Sequence, residues 1–213
     1  MKRLFLVLTL ALCSAIVARA AEEDVSIRGN FPQMLARGET TTQMAQRIAA
    51  LIANLDRLIA PPCRMKRIFE FAGADHVDVN DISRRVDPGQ PGVWRIVVTG
   101  KGCWTARTHN VFVFSRGASP ASLRLGVPGR SVAGVKHQQD ATQIVLRLAN
   151  GSAMRSNCDE RAFIVEAAVA RPRLPGKGWD ETWSASACEI VRKYTVMFEP
   201  EDGKMRISVI PAG

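Results

Sequence analysis

Apolar residues recur most clearly at helical spacing in one stretch, where Met44, Ile48, Leu51, Ile52, Leu55, Leu58 and Ile59 follow one another three or four apart. Thr40 and Gln43 stand ahead of this stripe at capping-box spacing, and Pro61-Pro62 ends it. A helix over about 40–59 follows, with its apolar face turned to a core. After it the period falls to two. Ile68, Phe69 and Phe71 predict a short strand, Asp87-Pro88-Gly89-Gln90-Pro91-Gly92 a turn, and Trp94, Ile96 and Val98 a second strand. Gly100-Lys101-Gly102 reads as the turn into a third strand, from Cys103 to Phe114. Arg116-Gly117-Ala118-Ser119-Pro120 then marks the expected join between two halves.

The second half repeats the order. Ile144, Val145, Leu146 and Leu148 fit a helix or a buried strand; we read a helix that starts near Asp140 and closes at Gly151. Phe163 to Ala170 is the next strand, and Arg171-Pro172-Arg173-Leu174-Pro175-Gly176 links it to Trp179 and Trp183. Tyr194, Val196 and Phe198 alternate, Glu199-Pro200-Glu201-Asp202-Gly203 is turn chemistry, and Met205, Ile207 and Val209 alternate again, which predicts a β-hairpin. Both halves therefore run helix, Cys, strand, Pro/Gly-rich connection, Trp strand, Cys, apolar strand, as a duplication would produce. The expected fold is α+β, with two similar halves over 40–118 and 122–213, each a helix packed on a small antiparallel sheet. Residues 21–39 show no period and read as a loosely held arm.

Composition adds a compartment. Met1-Lys2-Arg3, the apolar run Leu4 to Val17 and Ala18-Arg19-Ala20 have the form of a signal peptide cleaved after Ala20. No later apolar run reaches the roughly 20 residues a spanning helix needs. Losing Lys2, Arg3 and Arg19 would take the formal charge from +9 to about +6, spread along the chain as a solvated surface is. Four cysteines remain, an even number suited to an oxidising compartment. The repeat pairs Cys63 with Cys103 and Cys158 with Cys188, each bridge contributing roughly 3 to 4 kcal/mol by restricting the unfolded chain. With no C-x-x-C and only His76, His109 and His137, zinc-finger or thioredoxin-like chemistry is not expected. Asp75 to Asp81 lacks the glycine and oxygen spacing of a calcium loop and reads as a polar loop or edge strand; no metal or other cofactor is expected.

Candidate chemistry is sparse. Gly129-Arg130-Ser131-Val132-Ala133 is a degenerate nucleophile elbow, with His137 and Asp140 nearby, but the partners of a hydrolase serine should arrive from separate loops late in the chain. Glu166, Asp180 and Glu181 offer carboxylates for glycan cleavage at separations the sequence does not fix. Trp94, Trp104, Trp179 and Trp183 could form an aromatic surface. Arg171, Arg173 and Lys177 beside Trp179 suggest a cationic, aromatic rim for an anionic envelope component or a protein.

Pro128-Gly129-x-Ser131, Gln139-Asp140-Ala141 and the closing Trp183, Cys188 and hairpin resemble uncharacterised exported proteins of proteobacteria with a C-terminal Trp-x-x-x-x-Cys strand module. The resemblance covers mainly residues 126–209, implies export and brings no activity. Glu189 departs from it, standing where the module has Gly. The expected function is a periplasmic or secreted, non-catalytic binding protein, with a small exported hydrolase as the alternative. Export removes nucleic acid as a partner.

Overall fold

The computed structural model describes residues 24–26, 39–59, 68–87, 89–101, 107–116, 119–174 and 176–212. Its elements are β1 (Asp24–Ser26), α1 (Thr41–Ile59), β2 (Ile68–Val77), β3 (Val93–Lys101), β4 (Arg107–Arg116), β5 (Ser119–Leu125), α2 (Val135–Arg155), β6 (Phe163–Arg171), β7 (Trp179–Ala187), β8 (Ile190–Glu201) and β9 (Lys204–Pro211). They build two sheets, ordered β1-β2-β3-β4-β5 and β6-β7-β8-β9. Strands β2 to β5 and β6 to β9 are each an antiparallel meander preceded by a helix, so the protein is α+β with two halves of the same element order.

Helix α1 begins as its sequence requires. The Thr40 N–H donates to Gln43 Oε1 at 2.8 Å and the Gln43 N–H to Thr40 Oγ1 at 3.2 Å, the reciprocal bonds of a capping box. Met44, Ala45, Ile48, Ala49 and Ile52 then bury against Phe69, Phe71, Ile96, Val98, Val111 and Val113. Small residues at 45 and 49 let the helix axis approach phenylalanines on the sheet, which keeps the interface close-packed. Arg47 fixes the helix laterally, donating to Glu39 Oε1 at 2.6 Å and to the Ala121 carbonyl at 2.5 Å.

Helix α2 meets its sheet in the same way: Ala141, Val145, Ala149 and Ala153 face Trp183, Tyr194, Val196 and Phe198. The β8–β9 turn, Asp202-Gly203, has φ of 50° and 73°, the left-handed pair of a two-residue hairpin. The β7–β8 turn has the same form but is built from Cys188 (φ 46°) and Glu189 (φ 63°), neither a residue that favours it. Cys188 bonds to Cys158, with S–S 2.00 Å and Cα–Cα 6.1 Å, which staples this turn to the exit of α2.

Residues 126–134 join the halves. Gly126 and Gly129 donate their N–H groups to the Asn110 and Thr108 carbonyls of β4, while Arg130 N–H donates to the Ala167 carbonyl and Ala167 N–H to the Pro128 carbonyl. Asn110 Nδ2 bonds the Val127 and Gly129 carbonyls at 2.9 and 3.0 Å, and Gln138 ties Val127 N–H to the Ala133 carbonyl. Gly129 has φ 88°, and a Cβ there would lie 2.5 Å from the Ala167 carbonyl oxygen, so only glycine fits this crossing. Val77, Ile82, Val93, Phe112 and Val135 form a small third core beneath the join.

Several boundaries differ from the sequence reading. The segment expected to be a loose arm contributes β1, parallel to β2 through Asp24↔Ile68 and Ser26↔Glu70. Gly100 and Lys101 lie inside β3, with Gly100 opposite Arg107, because the ladder continues through them. The join between the halves falls after Leu125, not at 116–120: β5 pairs with β4 through Val113↔Leu123 and Val111↔Leu125, so residues 122–125 belong to the first sheet. Helix α2 starts at Val135, capped by Gly134, and runs past Gly151 to Arg155. Cys63 and Cys103, the expected bridge of the first half, lie outside the described residues.

Two outcomes follow. Glu189→Gly should raise stability by about 1 kcal/mol in denaturant unfolding, because it relieves a left-handed side chain in a tight turn. Burial holds the His109 imidazole down to a pKa of about 4, aided by the Arg107 charge, whereas in the unfolded chain it titrates at the ordinary histidine value of 6.5. The unfolded state therefore takes up the extra proton between those values, and stability should fall by roughly 3 kcal/mol as pH drops from 6.5 to 4. Unfolding midpoints across that range should show the slope in the native chain and a much flatter one in His109→Gln.

Candidate functional site

Alternation along β7 places Trp179, Glu181 and Trp183 on one face, the face that α2 and the join cover. All three are fully buried. The Trp179 indole N–H donates to Glu181 Oε1 at 2.9 Å and that of Trp183 to Oε2 at 2.8 Å. From the join, Ser131 Oγ donates to Oε1 at 3.1 Å and the Val132 N–H at 3.0 Å. Ser131 Oγ in turn accepts the Ala133 N–H at 3.2 Å. A carboxylate out of contact with water is costly unless its oxygens are bonded, and four neutral donors meet that requirement here.

Around this centre the aromatic rings are fixed by packing. Trp179 stacks on Phe198 with centroids 4.5 Å apart and planes at 9°, and the Arg173 guanidinium lies 4.7 Å from its ring centroid. Arg173 Nη1 is also 2.9 Å from Asp81 Oδ2, a charge contact that lacks hydrogen-bond alignment. This ion pair connects the linker after β6 to the first half.

These positions correct the expected rim. Trp179 and Trp183 are core residues and present no ring to a ligand, because they alternate onto the inner face with Glu181. Arg171 is neutralised by Asp180, Nη2 to Oδ1 2.8 Å, and Arg173 by Asp81. Lys177 is exposed and forms no ion pair among the described residues. The cation and the aromatic face do meet, at Arg173 and Trp179, but as an internal contact.

The serine-based arrangement is not assembled either. Ser131 is 4% exposed and its hydroxyl is directed to Glu181, not to an imidazole. His137 lies on the first turn of α2 with Nδ1 buried and unpartnered. Desolvation lowers its pKa, Lys136 and Arg173 add to the effect, and Asp140 opposes it. Glu166 is exposed while Glu181 is sealed in the core, so the two do not share an environment. Asp78 and Asp81 accept hydrogen bonds from Asn80 and Ser83 within a polar turn, and no group of three or more potential metal-ligating side chains occurs among the described residues. The cleft beside the disulfide, lined by Ala149, Ala153, Cys158, Ala185, Ile190 and Arg192 among others, encloses about 10 Å³, room for a single water.

The sequence reading missed the partnership of Ser131 with Glu181. Its one local signal is an acid standing between two tryptophans on the buried phase of an alternating strand, a position that demands donors. No known protein family, curated protein or solved structure matches the chain.

Glu181→Ala would leave three buried donors and one part-buried donor without this acceptor and open a void, so a loss of about 4 kcal/mol or failure to fold is expected. Glu181→Gln keeps one oxygen but sets an amide N–H₂ against an indole or the Ser131 and Val132 donors, and should lose about half as much. Chemical unfolding monitored by tryptophan emission checks both, since Trp179 and Trp183 report the site directly.

Proposed function

We propose that the mature chain is an exported protein, periplasmic or secreted, that acts by binding an anionic envelope component or another protein without turning over a substrate. The observation that carries this reading is the engagement of Ser131 and Glu181 with each other in the core. The two residues with the most catalytic potential are thereby consumed in seating the join on β7. A nucleophilic serine needs a free hydroxyl beside a base and open space for an acyl group, and Ser131 has neither.

Export is supported by the Cys158–Cys188 bond, of a kind that persists in oxidising compartments. Among the described residues no helix is long and apolar enough to cross a membrane. The signal-like features of residues 1–20 and the resemblance to exported proteobacterial proteins point the same way. The formal charge of about +6 left after removal of residues 1–20 favours anionic surfaces or acidic proteins, chiefly through long-range attraction.

Fractionation of cells expressing the full chain should recover a protein that begins at Ala21 in the periplasm or medium. It should bind isolated envelope fractions at low salt and be released as salt rises through a few tenths molar, where exposed charges are screened. Recovery of the uncleaved chain in the cytosol, or no association with envelope fractions at low salt, would overturn the reading.

A further inference from the structure

Of the five most exposed large apolar side chains described, three belong to one end of the second half: Met154 at 73%, Val191 at 55% and Ile190 at 50%. Met154 is in the last turn of α2, and Ile190 and Val191 open β8 directly after the Cys188-Glu189 turn. The disulfide holds these two segments together, and the small cleft between them is walled by Ala153 and Ser156 on one side and Ile190 and Arg192 on the other. Arg155, Arg192 and Lys193 flank the apolar residues, and none of the three forms an ion pair among the described residues; Arg155 donates to the Ser152 hydroxyl. Elsewhere on this sheet Arg171 pairs with Asp180 and Arg206 with Glu199 and Glu201.

We infer that this tip is a membrane-docking surface that seats on an anionic bilayer, with Met154, Ile190 and Val191 entering the headgroup boundary and Arg155, Arg192 and Lys193 at the phosphates. Exposed aliphatic side chains beside unpaired cations are the combination that interfacial binding uses, since apolar burial and attraction to anionic lipid act together. The acids at this end are Asp159, Glu160 and Glu189. Glu160 is engaged by the Cys188 N–H at 2.8 Å, and with Arg161 counted the cations outnumber the acids. Ile190 and Val191 point to opposite faces of the β7–β8 ribbon, so the hairpin end enters tip-first while the disulfide keeps α2 beside it. The proposal rests on the envelope-binding reading and gives that binding a lipid partner.

The test is flotation of the mature chain with phosphatidylcholine vesicles prepared with and without phosphatidylglycerol, alongside binding to isolated envelope fractions. The expected result is partition onto the phosphatidylglycerol vesicles only. Ile190→Ser with Val191→Ser should weaken it about tenfold, and Arg192→Gln with Lys193→Gln several-fold with a shallower salt dependence. Because these positions are exposed, circular dichroism and the unfolding midpoint should stay at native values. Met154→Ser alone serves as a second apolar variant if the hairpin pair alters folding. No partition onto anionic vesicles, or unchanged partition by folded apolar variants, would overturn the proposal. Persistence of envelope binding in that case would leave the broader reading standing with a protein as partner, and loss of both would overturn the two together.

Discussion

The structure depends on one buried carboxylate. Glu181 forms no ion pair among the described residues, and two indoles, a hydroxyl and a backbone N–H all donate to its oxygens. Two donors come from its own strand and two from the join. The requirement to satisfy Glu181 therefore fixes how residues 131–132 cross β7. Once that crossing is set, the close approach at Gly129, the ladder bonds to Ala167 and the entry of α2 at Val135 follow from chain connectivity. A hydrophobic replacement of the same shape could pack there, but it would not specify which segment of the join lies over the strand.

The two halves share an element order and differ in what covers their second faces. In the first sheet, the face opposite α1 carries Val93 and Phe112, and the join with the first turn of α2 buries it. In the second sheet, the strand positions that face away from α2 include Thr182, Ser184, Lys193, Thr195 and Arg206 together with Val191, Met197 and Ile210. Both helices place alanines on their buried face, Ala45 and Ala49 in α1 and Ala141, Ala149 and Ala153 in α2, although α1 also buries Met44, Ile48 and Ile52.

This packing relocates the chemistry. The residues that attract attention as a binding rim, Trp179, Trp183 and Arg173, serve the interior and the contact with Asp81, whereas the disulfide-stapled end of α2 and β8 carries unpaired cations and exposed aliphatic groups among the described residues. A small domain has few large aromatic residues, and the free-energy gain on burying them draws them inward ahead of any role outside.

Much of the fold was legible in local pattern. The Thr40 to Gln43 capping box, the stripe from Met44 to Ile52, the alternation of Tyr194, Val196 and Phe198, and the Asp202-Gly203 turn each encode their element within a few residues, and the structure forms each of them. The Cys158–Cys188 pairing was legible through the repeat. What only tertiary structure decided were the matters that depend on partners distant in sequence. Leu123 and Leu125 join the first sheet because β4 offers a free edge, and helix α2 begins five residues before Asp140 because Val135 has Phe112 and Ile82 to pack against. Period two puts Trp179, Glu181 and Trp183 on one face, but it does not say whether that face meets water or core. Ser131, 50 residues away, settles it by bringing a hydroxyl that a buried carboxylate needs. Local chemistry fixes dihedral preference and periodicity, whereas burial is a property of the assembled chain.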